Sequence, residues 1–200
     1  MTAAVYLLDD DPTVLDALAF LLMSRGLAVQ PYASGPELLA AVDAAPRPLR
    51  GVFLIDIRME PMSGLMVHDA LMARRVRNPV LFLSGHGDIP MAVDALKKGA
   101  FDFLEKPYSD NALADRIEQA LAVDTAMHAV DARAAEREAR LSSMTERERE
   151  VMQRVAAGKL NKVIADDLHV SVRTIEVHRA RVYAKLGVRS AAEVATFLAG

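Results

Sequence analysis

Three short apolar runs along the chain each end in polar side chains. Residues 52–55 (Val-Phe-Leu-Ile) run into Asp56, residues 5–8 (Val-Tyr-Leu-Leu) into Asp9, Asp10 and Asp11, and residues 80–83 (Val-Leu-Phe-Leu) into Ser84 and Gly85. Unbroken runs of this length are the pattern of strands buried on both faces, as in a parallel sheet. Between them the apolar positions fall at helical spacing. Val14, Leu15, Leu18, Leu21 and Leu22 predict a first helix that stops at Arg25-Gly26, with Asp11 as its N-cap and Pro12 in its first turn. A second strand is expected over 27–32, a second helix over 36–42, and a turn at Pro46-Arg47-Pro48. A third helix opens at Ser63-Gly64 and runs to about residue 75, and Asn78-Pro79 turns into the fourth strand. Residues 89–98 predict a fourth helix closed by Gly99, residues 101–104 a short fifth strand, and a fifth helix starts near Ser109. Strand and helix alternating five times predict a doubly wound parallel sheet, an α/β fold.

Beyond about Asp124 the pattern changes. Residues 124–143 are rich in Ala, Arg, Glu and Asp and hold no Gly or Pro, so a helical extension and linker are expected. A sparse apolar stripe along the extended fifth helix (Ile117, Leu121, Met127, Val130) fits either a dimer seam or one side of a solvated spacer. The last segment reads as helical throughout. Thr145-Glu146-Arg147-Glu148 is a capping-box pattern, followed by an apolar face of Val151, Met152, Val155 and Ala156 and a stop at Gly158. A short helix over 162–168, a longer one over 172–186 capped by Ser171 and closed by Gly187, and a last one after Ser190 complete an all-α four-helix unit. The expected domains are 1–122, a linker over 123–143, and 144–200.

Charge sharpens this division. Residues 1–124 carry 17 acidic and 11 basic side chains, residues 125–144 carry 3 of each, and residues 145–200 carry 7 acidic and 10 basic. A mildly basic tail on an acidic body suits a polyanionic partner for the tail alone. With no cysteine, disulfides and thiolate metal sites are excluded. No signal-peptide pattern and no apolar run of about 20 residues appear, so a cytoplasmic protein with no membrane contact is expected.

The strand-end residues suggest the chemistry. In open α/β sheets, sites form beyond the carboxyl ends of the strands, which brings Asp9, Asp10, Asp56 and Ser84 to one rim with Lys106 after the fifth strand. Crowded carboxylates call for a cation, and oxygen ligands suit magnesium (Mg2+). A lysine and a hydroxyl beside them suit a phosphoryl group, and Asp56 is then a candidate nucleophile for an acyl phosphate. In the tail, a short helix, a turn and a longer basic helix form a helix-turn-helix pattern. Arg173, Thr174 and Lys185 suit phosphates, Glu176, Val177 and Arg179 suit base edges, and Arg181 stands nearby.

The motifs resemble a known family. Leu-Leu-Asp-Asp-Asp at 7–11, Ile-Asp-Ile-Arg-Met at 55–59, Met-Ser-Gly-Leu at 62–65, Ser-Gly-His-Gly-Asp-Ile-Pro at 84–90 and Lys-Lys-Gly-Ala-Phe-Asp-Phe-Leu-Glu-Lys-Pro at 97–107 are similar to the receiver domain of two-component response regulators. Residues 161–165 and 170–179 resemble the LuxR-type helix-turn-helix, so the whole chain resembles the NarL/FixJ family. The resemblance implies a flavodoxin-like five-stranded receiver, Asp56 as phosphoacceptor, and a metal site of Asp9, Asp10, Asp56 and the Arg58 carbonyl, with Asp10 the direct ligand of the acidic pair. It also implies Ser84 and Phe103 as switch residues, and Lys106 as phosphate contact before a cis Lys106-Pro107 bond. In place of the Pro-Gly usual in the family after Arg-Met, this chain has Glu60-Pro61, which moves a proline and adds a charge near the metal.

The implied function is a transcription factor. A sensor histidine kinase phosphorylates Asp56 with Mg2+, the protein dimerises, and the dimer binds double-stranded DNA. It is not an enzyme beyond its own phosphorylation and dephosphorylation at Asp56. An aspartate-nucleophile phosphohydrolase is disfavoured because Arg58 stands where such enzymes carry a second Asp. A phosphorylation-independent DNA-binding regulator, with the receiver as a dimerisation scaffold, is the alternative.

Overall fold

The computed structural model describes residues 3–45, 49–85 and 89–199, and the backbone alone for Ile89, Pro90 and Ala92. The expected Pro46-Arg47-Pro48 turn and the His86-Gly87-Asp88 part of the fourth motif lie outside the described residues. The chain divides into two compact units, Met1–Ala129 and Val130–Gly200, so the stretch expected as a linker is shared between them.

The first unit alternates strand and helix: β1 (Ala4–Leu8), α1 (Pro12–Ser24), β2 (Ala28–Tyr32), α2 (Gly35–Ala44), β3 (Gly51–Asp56), α3 (Gly64–Ala73), β4 (Val80–Ser84), α4 (Ile89–Lys97), β5 (Asp102–Glu105) and α5 (Asp110–Ser142). The strands form one parallel sheet in the order β2-β1-β3-β4-β5. Its three inner strands are buried at every position, as their unbroken apolar runs require. Alternate residues feed two cores. Tyr6, Leu8, Phe53, Ile55 and Phe82 pack with residues of α2, α3 and α4, whereas Val5, Leu7, Val52, Leu54 and Leu81 pack with α1 and α5. Truncating one of these side chains to alanine is expected to cost about 2–5 kcal/mol.

Caps set the helix starts. The Asp11 carboxylate accepts the Thr13 N–H at 2.8 Å, and Pro12 opens α1. The strand order reverses between β1 and β3, so the loops after these two strands diverge and leave a crevice at their carboxyl ends.

α5 is 33 residues long and continues past the first unit, as the Ala/Glu/Arg-rich composition implies. The apolar stripe weighed as a dimer seam is largely spoken for: Ile117 is fully buried in the receiver core and Leu121 packs against it, while Val130 is exposed.

The second unit contains the end of α5 and then α6 (Glu146–Ala156), α7 (Asn161–Leu168), α8 (Val172–Leu186) and α9 (Ala191–Ala199). Both halves of the Thr145–Glu148 capping box are formed. Val151, Val155, Ile164, Ile175, Val182, Leu186 and Val194 make its core. No helix among the described residues is long and apolar enough to cross a membrane.

Candidate functional site

The end of β3 delivers Asp56, buried, to the crevice beside the end of β1, which delivers Asp9, also buried. Lys106, just past β5, reaches both: its Nζ lies 2.6 Å from Asp56 Oδ1 and 3.5 Å from Asp9 Oδ2. The backbone holds each carboxylate in place. The Arg58 N–H donates to Asp56 Oδ2 at 2.7 Å, and the Asp11 N–H donates to Asp9 Oδ1 at 3.0 Å. Gly64 makes this packing possible, because a Cβ there would lie 2.2 Å from the Asp56 carbonyl oxygen.

One polar atom is left over. Asp9 Oδ2 is buried and has no hydrogen-bond partner, a costly state for a carboxylate oxygen. Burial raises the Asp9 pKa above the ordinary carboxylate value, against the opposing pull of the Asp11 N–H and Lys106. Burial also works against the charge of Lys106, but the hydrogen bond and charge of Asp56, together with Asp9, outweigh it and hold the ammonium's pKa above normal. Lys106 therefore stands as an ammonium between Asp56 and Asp9.

The other expected residues have the following surroundings. Asp10 is exposed, and its Oδ2 accepts the Glu60 N–H at 3.0 Å. Ser84 is fully buried, with its Oγ 3.5 Å from the Leu104 carbonyl. Phe103 lies beside Phe82 across the β4–β5 ladder and packs, half-buried, on the α3/α4 side of the sheet. The Lys106-Pro107 bond is cis, and so is Glu60-Pro61. Among the described residues no three His, Asp or Glu side chains converge as a ready-made cation cage.

In the second unit, α7 and α8 are joined by a turn of residues 169–171 in which His169 takes a left-handed conformation. Ser171 caps α8 by accepting the Thr174 N–H at 3.1 Å, and its Oγ also meets Thr174 Oγ1 at 2.8 Å. Ile175, Val182 and Leu186 turn inward, leaving Arg173, Glu176, Val177 and Arg181 exposed. Two of the expected DNA contacts, Lys185 and Arg179, have partners within the unit itself. Lys185 donates to Glu148 Oε2 at 2.7 Å and to the Ser143 carbonyl at 2.8 Å, because a buried carboxylate in the capping box needs a cation. Arg179 spans from α8 to Asn161 Oδ1 and to the Tyr183 hydroxyl, both at 2.6 Å, and so ties the two helices of the motif together.

A buried polar cluster in the first unit was missed from the sequence. Asp124 of α5, almost fully buried, accepts from Asn78 Nδ2 at 3.1 Å and Arg50 Nε at 3.3 Å, with His128 Nε2 at 3.2 Å. His128 also meets the Leu49 carbonyl at 2.8 Å. The i, i+4 spacing of Asp124 and His128 was the one local signal available; the other partners come from distant loops.

A family model of the response regulator receiver domain matches residues 5–118, and one of the luxR family of bacterial regulatory proteins matches residues 142–198. The C4-dicarboxylate transport transcriptional regulatory protein DctR of Rhodobacter capsulatus is 44% identical over 198 residues, which is 98% of each chain. The transcriptional regulatory protein FixJ of Rhizobium meliloti (strain 1021) is 42% identical over 186 residues, covering 93% of this chain and 90% of its own. The solved structure of response regulator StyR aligns over 100% of this chain and 99% of its own, with a TM-score of 0.91 and 34% identity. By both family models and by these relatives, the chain belongs to the NarL/FixJ family of two-component response regulators, which regulate transcription.

Proposed function

We propose that Asp56 is the phosphoacceptor of this regulator and that its acyl phosphate drives formation of a DNA-binding homodimer in the cytoplasm. The reading rests above all on Lys106, whose ammonium stands 2.6 Å from Asp56 Oδ1 with Asp9 beside it. An Asp56 carboxylate oxygen attacks the phosphorus of a phosphohistidine on a sensor histidine kinase. The O–P bond forms as the P–N bond breaks, and the departing imidazole takes up a proton. Lys106 then meets negative charge on the phosphoryl oxygens with a charge-assisted hydrogen bond. The chemistry is confined to Asp56 of the protein itself.

Asp9, Asp10, Asp56 and the Arg58 carbonyl offer oxygen donors only, and Asp9 Oδ2 is buried without a hydrogen-bond partner. This donor set fits Mg2+, which, when bound, supplies positive charge against the crowded carboxylates and phosphoryl oxygens. Ser84, whose Oγ makes a long 3.5 Å contact to the Leu104 carbonyl, is available to bond a phosphoryl oxygen. Its inward movement opens room for Phe103 and alters the surface of α4 and β5, where the dimer forms. In the effector unit Arg173, Thr174 and Arg181 face phosphates, and Glu176 and Val177 face base edges.

Light scattering with and without Mg2+ and beryllofluoride tests this reading, with Asp56→Ala as control. The expected result is a doubling of mass in wild type only. A mass unchanged by the phosphoryl mimic would overturn it and favour a receiver acting as a phosphorylation-independent scaffold.

A further inference from the structure

We infer that the backbone N–H of Glu60 positions Asp10 for cation binding, so that residue 60 tunes magnesium affinity through its main chain rather than its carboxylate. The inference rests on the magnesium-dependent reading of the acidic rim proposed above. Asp10 is exposed, and an exposed aspartate samples several rotamers in water. Here one hydrogen bond, from Glu60 N–H to Asp10 Oδ2 at 3.0 Å, selects an orientation from a loop 50 residues away. Asp10 Oδ1 has no hydrogen-bond partner among the described residues and remains available to a ligand.

The donor is held in a well-anchored loop. Arg58 N–H bonds Asp56 Oδ2 at 2.7 Å, Gly64 N–H bonds the Ile57 carbonyl at 3.0 Å, and Gly64 packs directly on the Asp56 carbonyl. The order of two residues decides whether the donor exists. Proline has no N–H, so Glu60-Pro61 keeps a donor at position 60, where a proline would remove it. The Glu60 side chain is a separate, weaker influence, because it is exposed and screened by water. Groups that hydrogen-bond a ligating carboxylate typically contribute about 10–100-fold to metal affinity.

Calorimetric titration of the full-length protein with Mg2+ separates these effects. Glu60→Gln/Pro61→Gly and Glu60→Pro/Pro61→Gly share the same glycine and both lack the charge, and they differ in the N–H at position 60. The proline variant is expected to bind Mg2+ about tenfold more weakly than the glutamine variant. Equal affinity in the two, with wild type binding normally, would overturn the inference while leaving the phosphoacceptor reading intact. No Mg2+ binding by wild type would overturn both. Circular dichroism melts without Mg2+ check that each variant folds.

A second measurement needs no change in the loop. In the amide NMR spectrum of the receiver within the whole protein, Asp10→Ala is expected to move the Glu60 amide upfield and speed its exchange. An unaltered Glu60 amide would overturn the inference independently of the titration.

Discussion

Two lysine–carboxylate pairs of nearly equal length serve the two halves of the chain: Lys106 with Asp56 at 2.6 Å, and Lys185 with Glu148 at 2.7 Å. They differ in what is left unsatisfied around them. Glu148 Oε2 takes both Lys185 and the Thr145 N–H, while Thr145 Oγ1 accepts the Glu148 N–H. Lys185 spends a second donor on the Ser143 carbonyl. The hydrogen bond from Lys185, followed by that from the Thr145 backbone, lowers the Glu148 pKa to about 2. The receiver pair is incomplete by contrast. One ammonium is divided between two carboxylates, and Asp9 Oδ2 is buried without a hydrogen bond. A saturated pair fastens helices; an unsaturated one retains affinity for something that arrives later.

Breaking the saturated pair is expected to produce the largest effect. Removing Lys185, itself about one-third exposed, leaves the buried Glu148 carboxylate without its cation, at a cost of about 1–3 kcal/mol. Lys185→Met should therefore destabilise the second unit by about that much, seen as faster hydrogen exchange of α6 and α8 amides with the receiver strands unchanged. Loss confined to a few tenths of a kcal/mol would mean that the pair behaves as a surface contact.

Acid tests the same pair without mutation. The folded pKa of Glu148 is about 2, below its ordinary 4.5, so its contribution is fully present above about pH 4.5 and is lost as pH falls toward 2. Chemical denaturation of the whole protein across that window should show the second unit weakening. Glu148→Gln should flatten this pH dependence while lowering stability at neutral pH.

Asp9→Asn is expected to act in the opposite direction. Replacing a buried carboxylate, one of whose oxygens lacks a hydrogen bond, with a neutral amide should stabilise the receiver by about 1–2 kcal/mol, as happens where a site holds strain for function. Thermal melts without added metal would show it as a higher midpoint. A lower midpoint would mean that Asp9 is as firmly tied as Glu148, and the contrast between the two pairs would fall.

The two pairs also differ in how far the sequence exposed them. The runs before Asp9, Asp56 and Ser84 announced buried parallel strands, and their polar ends announced the rim, because burial on both faces is written into each run and such sheets place sites beyond their strands' carboxyl ends. The capping box at Thr145 and the Ser171 cap were legible for the same reason: their partners lie three residues apart. The Lys185–Glu148 bond was not legible because the two residues are 37 positions apart, and helical spacing alone only marks Lys185 as basic. The bond from Arg179 to Asn161 was hidden in the same manner, since Asn161 lies on another helix. Asp124 looked like one more charge on a solvated helix, whereas Arg50 and Asn78 reach it from loops. The Glu60 donor was hidden for another reason. It belongs to the main chain, and a reading of side chains registers only the charge.

The smallest and most discriminating effect concerns DNA. If Lys185 is a fastener, its loss lowers the fraction of folded effector, which weakens apparent binding by the same factor at every salt concentration. Arg181, exposed on α8, would instead release counterions on meeting a phosphate. Binding measured against salt concentration by fluorescence anisotropy, on the beryllofluoride-activated protein, should therefore separate the two. Arg181→Ala is expected to reduce the slope of log K against log salt by about 1 per subunit contact, and Lys185→Met to leave the slope unchanged while lowering K. A slope that drops in Lys185→Met would show the ammonium leaving Glu148 for a phosphate on the complex. The second pair would then exchange partners in use, as proposed for the first.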